Sequence, residues 1–228
     1  MNSLFTALIT KRIVATVSAL LIIAIGCAAG IWQLGRADTK IALAANLLAR
    51  QQMAILNANA GPWTLDEARE RRMIARGQYI PEAAVWLDNR PRPVPPAGSN
   101  TAQAGFYLLM PLRLEGGDEV LWVNRGWAPR NQENRETLPP VQTPMGLVNV
   151  EGIVFAHPGK VYELGSDKAA PKLNMPRIEQ NLNLEGEAKL HGWTQSPFIL
   201  RLEESGIQDG LLREWAPLTT GVDRHYAY

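Results

Sequence analysis

The chain has 228 residues, 46% of them apolar and 20% charged, a composition that excludes a disordered or collagen-like polypeptide. Its 23 Lys and Arg against 22 Asp and Glu leave a formal charge of +1, which argues against a nucleic-acid binder with a basic face. One cysteine and three well-separated histidines (His157, His191 and His225) exclude a disulfide framework and a local Cys/His metal motif.

From Ile13 to Leu34 the sequence runs for 22 residues without a formal charge. At about 1.5 Å per residue, a helix of that length crosses a hydrocarbon core of roughly 30 Å. Residues 1–12 then read as a cytoplasmic stub and 13–34 as a transmembrane helix, with Lys11 and Arg12 before it and Arg36 and Lys40 after it. The flanking charge is nearly symmetric, so the short stub decides the orientation: stub inside, bulk of the chain outside. A cleaved signal peptide has a shorter apolar region with its cleavage site beyond it, whereas Ala28-Ala29-Gly30 lies inside this run. Ala24-Ile25-Gly26-Cys27 faintly resembles a lipoprotein box, but apolar sequence continues past Cys27. The length favours an uncleaved anchor, with Trp32 near its outer end.

Residues 35–71 read as a helical connector. The stretch after Lys40 is rich in Ala, Leu, Gln and Arg and free of Gly and Pro, and Ile41, Ala45, Leu48 and Ile55 form one apolar stripe that needs burying. Gly61-Pro62 ends it. Thr64 followed three residues later by Glu67 has capping-box spacing and predicts a short helix through Arg71.

From residue 72 to 222 the period changes to two, and an extracytoplasmic β domain is expected. Short runs rich in Val, Ile, Leu, Tyr, Phe and Trp are punctuated by Gly, Pro, Asn and Asp clusters. In the run from Glu119 to Trp127, Val120, Trp122 and Asn124 face one side while Leu121, Val123 and Arg125 face the other. Residues 175–190 suggest one more short helix. The expected fold is mainly β, an antiparallel sandwich or a partly closed barrel with short helices, preceded by one transmembrane α-helix.

Chemistry is sparse. There is no dinucleotide-binding or phosphate-binding Gly-rich loop and no Gly-x-Ser-x-Gly elbow. Asp66-Glu67, Asp118-Glu119 and Glu203-Glu204 are adjacent in sequence and read as solvated. His157 before Pro158-Gly159 and His191 before Gly192-Trp193 read as solvated loop residues. No catalytic constellation emerges, and a non-enzyme is expected.

Two segments are more specific. Gly30-Ile31-Trp32-Gln33-Leu34-Gly35-Arg36-Ala37-Asp38-Thr39-Lys40 sits at the outer end of the membrane helix, and Val123-Asn124-Arg125-Gly126-Trp127-Ala128-Pro129 follows some ninety residues later. Trp32 and Arg36 are one helical turn apart, suited to an interfacial anchor or to a contact at the membrane rim. Asn124 to Trp127 suits a strand end running into a bend at Gly126, with Arg125 alternatively meeting a carboxylate or propionate. Both spacings, in this order, resemble the surfeit locus protein 1 family, assembly factors for haem–copper cytochrome c oxidase. Arg76-Gly77-Gln78-Tyr79, Gly105-Phe106-Tyr107, Met110-Pro111-Leu112 and Val150-Glu151-Gly152 extend the resemblance from Gly30 to the end of the chain.

The resemblance implies a bacterial inner-membrane protein with its main domain on the periplasmic side. It further implies work with the oxidase catalytic subunit and the machinery that makes or inserts haem A. Some bacterial relatives bind haem A, and the resemblance places the iron ligand at His225, with Trp32, Arg36 and Tyr228 beside the haem. Gln33, Asn124, Arg125, Gly126 and Trp127 stand as motif residues for partner contact. A cofactor-free scaffold that holds oxidase subunits is the alternative. Members usually carry a second membrane helix entered through this His-x-x-Tyr pattern. Residues 223–228 therefore read as the start of a segment cut short.

Overall fold

The structure is a computed structural model and describes residues 2–94, 103–131, 133–134, 137–161, 175–203 and 208–215, the side chains of 2–11 and 37 excepted. Helix α1 is a single helix, Asn2–Gln52. Its apolar part reaches a mean hydropathy of 2.4 with none of it buried, so it is long and apolar enough to cross a membrane. The Thr16 hydroxyl donates back to the Arg12 carbonyl at 2.9 Å, satisfying the hydroxyl within the helix itself. The stripe that needs burying is not covered: Ile41, Leu48 and Ile55 are exposed.

Leu48–Pro217 forms a compact unit of its own. It is built from β1 (Leu56–Asn57), α2 (Leu65–Ala68), β2 (Arg72–Tyr79), β3 (Val85–Pro91), β4 (Ala104–Leu114), β5 (Val120–Pro129), β6 (Leu147–Phe155), β7 (Arg177–Glu179), α3 (Leu184–His191) and β8 (Gln195–Leu202). The capping box forms as expected: Thr64 and Glu67 cap each other's backbone N–H groups. The helix it opens ends at Ala68 rather than Arg71, because Arg69 already leaves helical geometry. In 175–190 the expected helix is shorter and later. Arg177–Glu179 is instead a strand, pairing in parallel with Val85, Trp86 and Leu87, and the helix starts only at Leu184 behind its Asn183 cap.

The strands form one mixed sheet in the order β1-β2-β6-β8-β5-β4-β3-β7. Pairing of β2 back to β4, through Gly77, Gln78 and Tyr79, bends it into a ring of β2, β6, β8, β5 and β4. That closure selects the partly closed barrel over the sandwich. Among the described residues five strand pairs are antiparallel, and β1–β2, β3–β7 and β5–β8 are parallel. Gly77 has to be glycine: a Cβ there would stand 2.2 Å from the Arg113 carbonyl oxygen, too close for the β2–β4 seam. Where β2 and β4 diverge, Asn59 bridges them. Its Nδ2 donates to the carbonyls of Arg76 and Glu115, and its Oδ1 accepts from the Arg76 N–H.

Period-two alternation fills the ring. Met73, Ala75 and Tyr79 of β2, Phe106 to Leu114 in alternation on β4, Leu121 and Val123 of β5, and Phe198, Leu200 and Leu202 of β8 share one inner core. On the outside, Leu109, Trp122 and Ile199 join Val85 and Leu87 in a second cluster, covered by Leu182, Leu184 and Trp193 from the segment around α3. One outer face of the barrel is therefore closed by the chain itself.

Candidate functional site

Strand β5 carries the more distant of the two motifs and is buried at every position but its last. Leu108 pairs with Gly126 and Leu109 with Asn124, so Arg125 is the extra residue of a bulge. Gly126 takes φ +141°, and a Cβ on it would lie 2.8 Å from the Leu212 carbonyl oxygen. The Asn124 side-chain oxygen accepts from the Gly126 N–H at 3.2 Å, fixing the bend.

The bulge turns Arg125 into the barrel end, where it is 2% exposed. Its guanidinium donates to the Thr143 hydroxyl (2.7 Å), the Gln142 carbonyl (2.8 Å) and the Asp209 carboxylate (2.9 Å), and lies 4.9 Å from the Tyr79 ring centroid. The same carboxylate oxygen accepts from Arg213, so one buried acid holds two buried guanidiniums. Burial, above all, pushes the Tyr79 phenol up to about 12, with Arg125 and Arg213 pulling the other way.

Asp209 belongs to a strap, Asp209–Trp215, fastened along the motif. Trp127 and Leu212 exchange backbone hydrogen bonds at 2.8 and 2.7 Å. The Trp127 indole donates to the Arg90 carbonyl at 3.0 Å, and the Trp215 indole donates to the Leu202 carbonyl at 2.6 Å. Trp215 also packs edge-on to Tyr107 and against the Arg201 guanidinium, which lies close to the Phe155 ring as well. Asn124, Arg125, Gly126 and Trp127 are thus gathered in one place, facing the chain's own strap.

On α1, the Arg36 guanidinium lies 5.2 Å from the Trp32 ring centroid, one turn away, and Trp32 is 58% exposed. Gln33 is exposed beside them. His225 and Tyr228 lie outside the described residues. His157 is exposed, its Nδ1 accepting from the Gly159 N–H. His191 departs from the expected loop residue. It ends α3, with Gly192 in the left-handed conformation as cap, and its ring stacks on Trp193 at 4.0 Å with a side chain 5% exposed. Burial, partly opposed by Glu187, lowers its pKa.

Sequence reasoning missed Tyr79, Asp209 and Arg213. The available signal was Asp209-Gly210-Leu211-Leu212-Arg213-Glu214-Trp215, an acid and a base four apart before an indole, but nothing local ties it to Arg125. Among the described residues no group of three or more His, Cys, Asp or Glu is placed to hold a metal ion.

Comparison with known proteins yields two findings. The family model described as the SURF1 family matches residues 20–228. Surfeit locus protein 1 from Rattus norvegicus is 28% identical over 131 residues, covering 55% of this chain and 42% of the rat protein. The matched stretch thus spans less than half the length of that relative.

Proposed function

This chain belongs to the SURF1 family, and from that premise we propose that it assists assembly of a haem–copper cytochrome c oxidase from a membrane anchor, catalysing no reaction itself. The observation that carries this reading is the family match over 20–228, which takes in most of the apolar helix and the whole barrel. In this reading α1 sits in the bacterial inner membrane, the barrel lies on the periplasmic side, and the partners are the oxidase catalytic subunit and the haem A synthesis or insertion machinery.

Haem A is the proposed cargo. The described part of its site fits the group chemically. An exposed indole at the end of an apolar span offers a face to a flat apolar ring, and the guanidinium of Arg36 offers a cation to a propionate. His225 would offer an imidazole to the haem iron, and Tyr228 would help hold the group. Arg125 is assigned no propionate, since its carboxylate partner is Asp209.

Deletion of the protein tests the reading. The expected result is a loss of oxidase activity with transcripts and apoprotein retained, restored by the intact copy. Normal oxidase activity and haem content after deletion, with no paralogue compensating, overturns it. Cofactor binding is tested separately, by the absorption spectrum of the detergent-purified protein made with and without haem A synthesis. An oxidase defect from a protein that never carries haem leaves the cofactor-free scaffold.

A further inference from the structure

Large apolar side chains exposed on the barrel unit are not scattered. Beyond α1, six among the described residues are at least 42% exposed: Met53, Ile55, Ile74, Met145, Leu147 and Met175. All but Met175 lie on β1, β2 or β6 or in the few residues leading into β1 and β6. The register places Ile74 and Leu147 on one outer face, with Asn57 beside Ile74, Ile74 beside Glu151, Arg76 beside Asn149 and Gln78 beside Leu147. A groove of about 790 Å³ runs over this face, lined by Arg72, Ile74, Arg76, Glu115, Asn149 and Glu151 among others. The opposite outer face is covered by α3 and its neighbours. Exposed apolar side chains set among polar and charged ones suit a protein interface.

We propose that the β1–β2–β6 face is the isologous interface of a dimer, covered by a second copy of this chain. The charges select that occupant. A bilayer surface would bring Glu115 and Glu151 against lipid phosphates, as it would Glu203 at the groove's edge. Within the face the charges sort by strand: β2 contributes the guanidiniums of Arg72 and Arg76, and β6 contributes the carboxylate of Glu151. A two-fold axis running along the strands between β2 and β6 lays each copy's β2 over the other's β6. Arg72 and Arg76 then flank the partner's Glu151, and both Ile74 side chains fall on the same rung beside the axis. Such self-complementarity is what two-fold symmetry requires. Arg72 pairs with Glu151, and Arg76 with Glu115 at 2.8 Å, all about half exposed, so these pairs can exchange across the interface.

The test uses the full chain solubilised in detergent, weighed by sedimentation, with two differently tagged copies co-expressed and co-purified. The expected particle contains two chains. Ile74→Lys, and the milder Ile74→Ser, should weaken association, the former by about tenfold or more, with the near-ultraviolet circular dichroism of the barrel unchanged. Glu151→Arg alone and Arg72→Glu with Arg76→Glu should each lose self-association, and the two variants mixed should pair with each other. A chain that stays monomeric, or a dimer indifferent to these substitutions, overturns the proposal. So does a monomer whose face binds anionic vesicles or another protein instead.

Discussion

Arg36 and Arg125 belong to the two motifs that single this chain out, and their surroundings are opposite. Arg36 stands exposed over an exposed Trp32 on the long apolar helix α1. Arg125 is buried at the barrel end, held by Asp209, Thr143, the Gln142 carbonyl and the Tyr79 ring. The same residue type thus serves two ends. Arg125 organises the chain's own strap, whereas Arg36 presents its guanidinium on the exposed surface of α1. A motif that looks like a contact surface in sequence can be a fastening inside the fold.

The contrast breaks most visibly if the Arg125 cluster is not what holds the strap. Asp209→Ala leaves two buried guanidiniums without their shared carboxylate and should cost about 3–5 kcal/mol of stability in denaturant unfolding of the solubilised chain. Arg125→Ala should cost less, about 3 kcal/mol, because Asp209 keeps Arg213. The reverse order would mean that the carboxylate is not the pivot. Gly126→Ala should follow at about 2–3 kcal/mol, since a Cβ meets Leu212 and φ +141° strains any other residue. Faster proteolysis within 208–215 of this variant would locate the loss in the strap.

Alkaline pH sharpens the same cluster. The fold prefers the neutral Tyr79 phenol, whose pKa rises from 10.0 to about 12. Its contribution is complete below pH 10 and is lost as pH climbs toward 12, because the unfolded chain releases that proton first. Tyr79→Phe should therefore flatten this part of the alkaline unfolding limb, by at most about 3 kcal/mol. An unchanged limb would place the phenol in contact with water.

Much of this arrangement is written locally. Strand β2 alternates as its residues demand, the Thr64–Glu67 box forms, and Gly126 makes the expected bend, although beside a bulge inside β5, which runs on to Pro129 instead of ending there. What stayed hidden depends on distant partners. Ring closure rests on Gly77 to Tyr79 meeting Leu112 to Leu114, and Arg125 finds Asp209 across 84 positions. Arg177–Glu179 becomes a strand only because β3 offers an edge, and the His191 side chain is covered where Trp193 stacks on it. Charges and histidines in irregular stretches look solvated until the fold brings something to cover them. His225 and Tyr228, which the family resemblance singles out, lie outside the described residues.

The smallest expected effect on stability decides the comparison from its other side. A guanidinium over an exposed ring contributes about 0.5–1 kcal/mol to the pair itself, and Arg36 is exposed on α1. Arg36→Ala should therefore leave barrel unfolding within about 0.5 kcal/mol of the unaltered chain. Its effect should appear only where the membrane rim is used, as lower oxidase activity per unit of chain in the membrane. Arg36→Lys keeps the charge but loses the planar stack on Trp32, and should fall between the two. Arg125→Ala should show the converse, with activity falling in proportion to the amount of folded chain. The two sets are separated by measuring chain abundance and oxidase activity in the same membranes. If Arg36→Ala lowers abundance as Arg125→Ala does, Arg36 too is a fastening, and the rim loses its claim to an outside ligand.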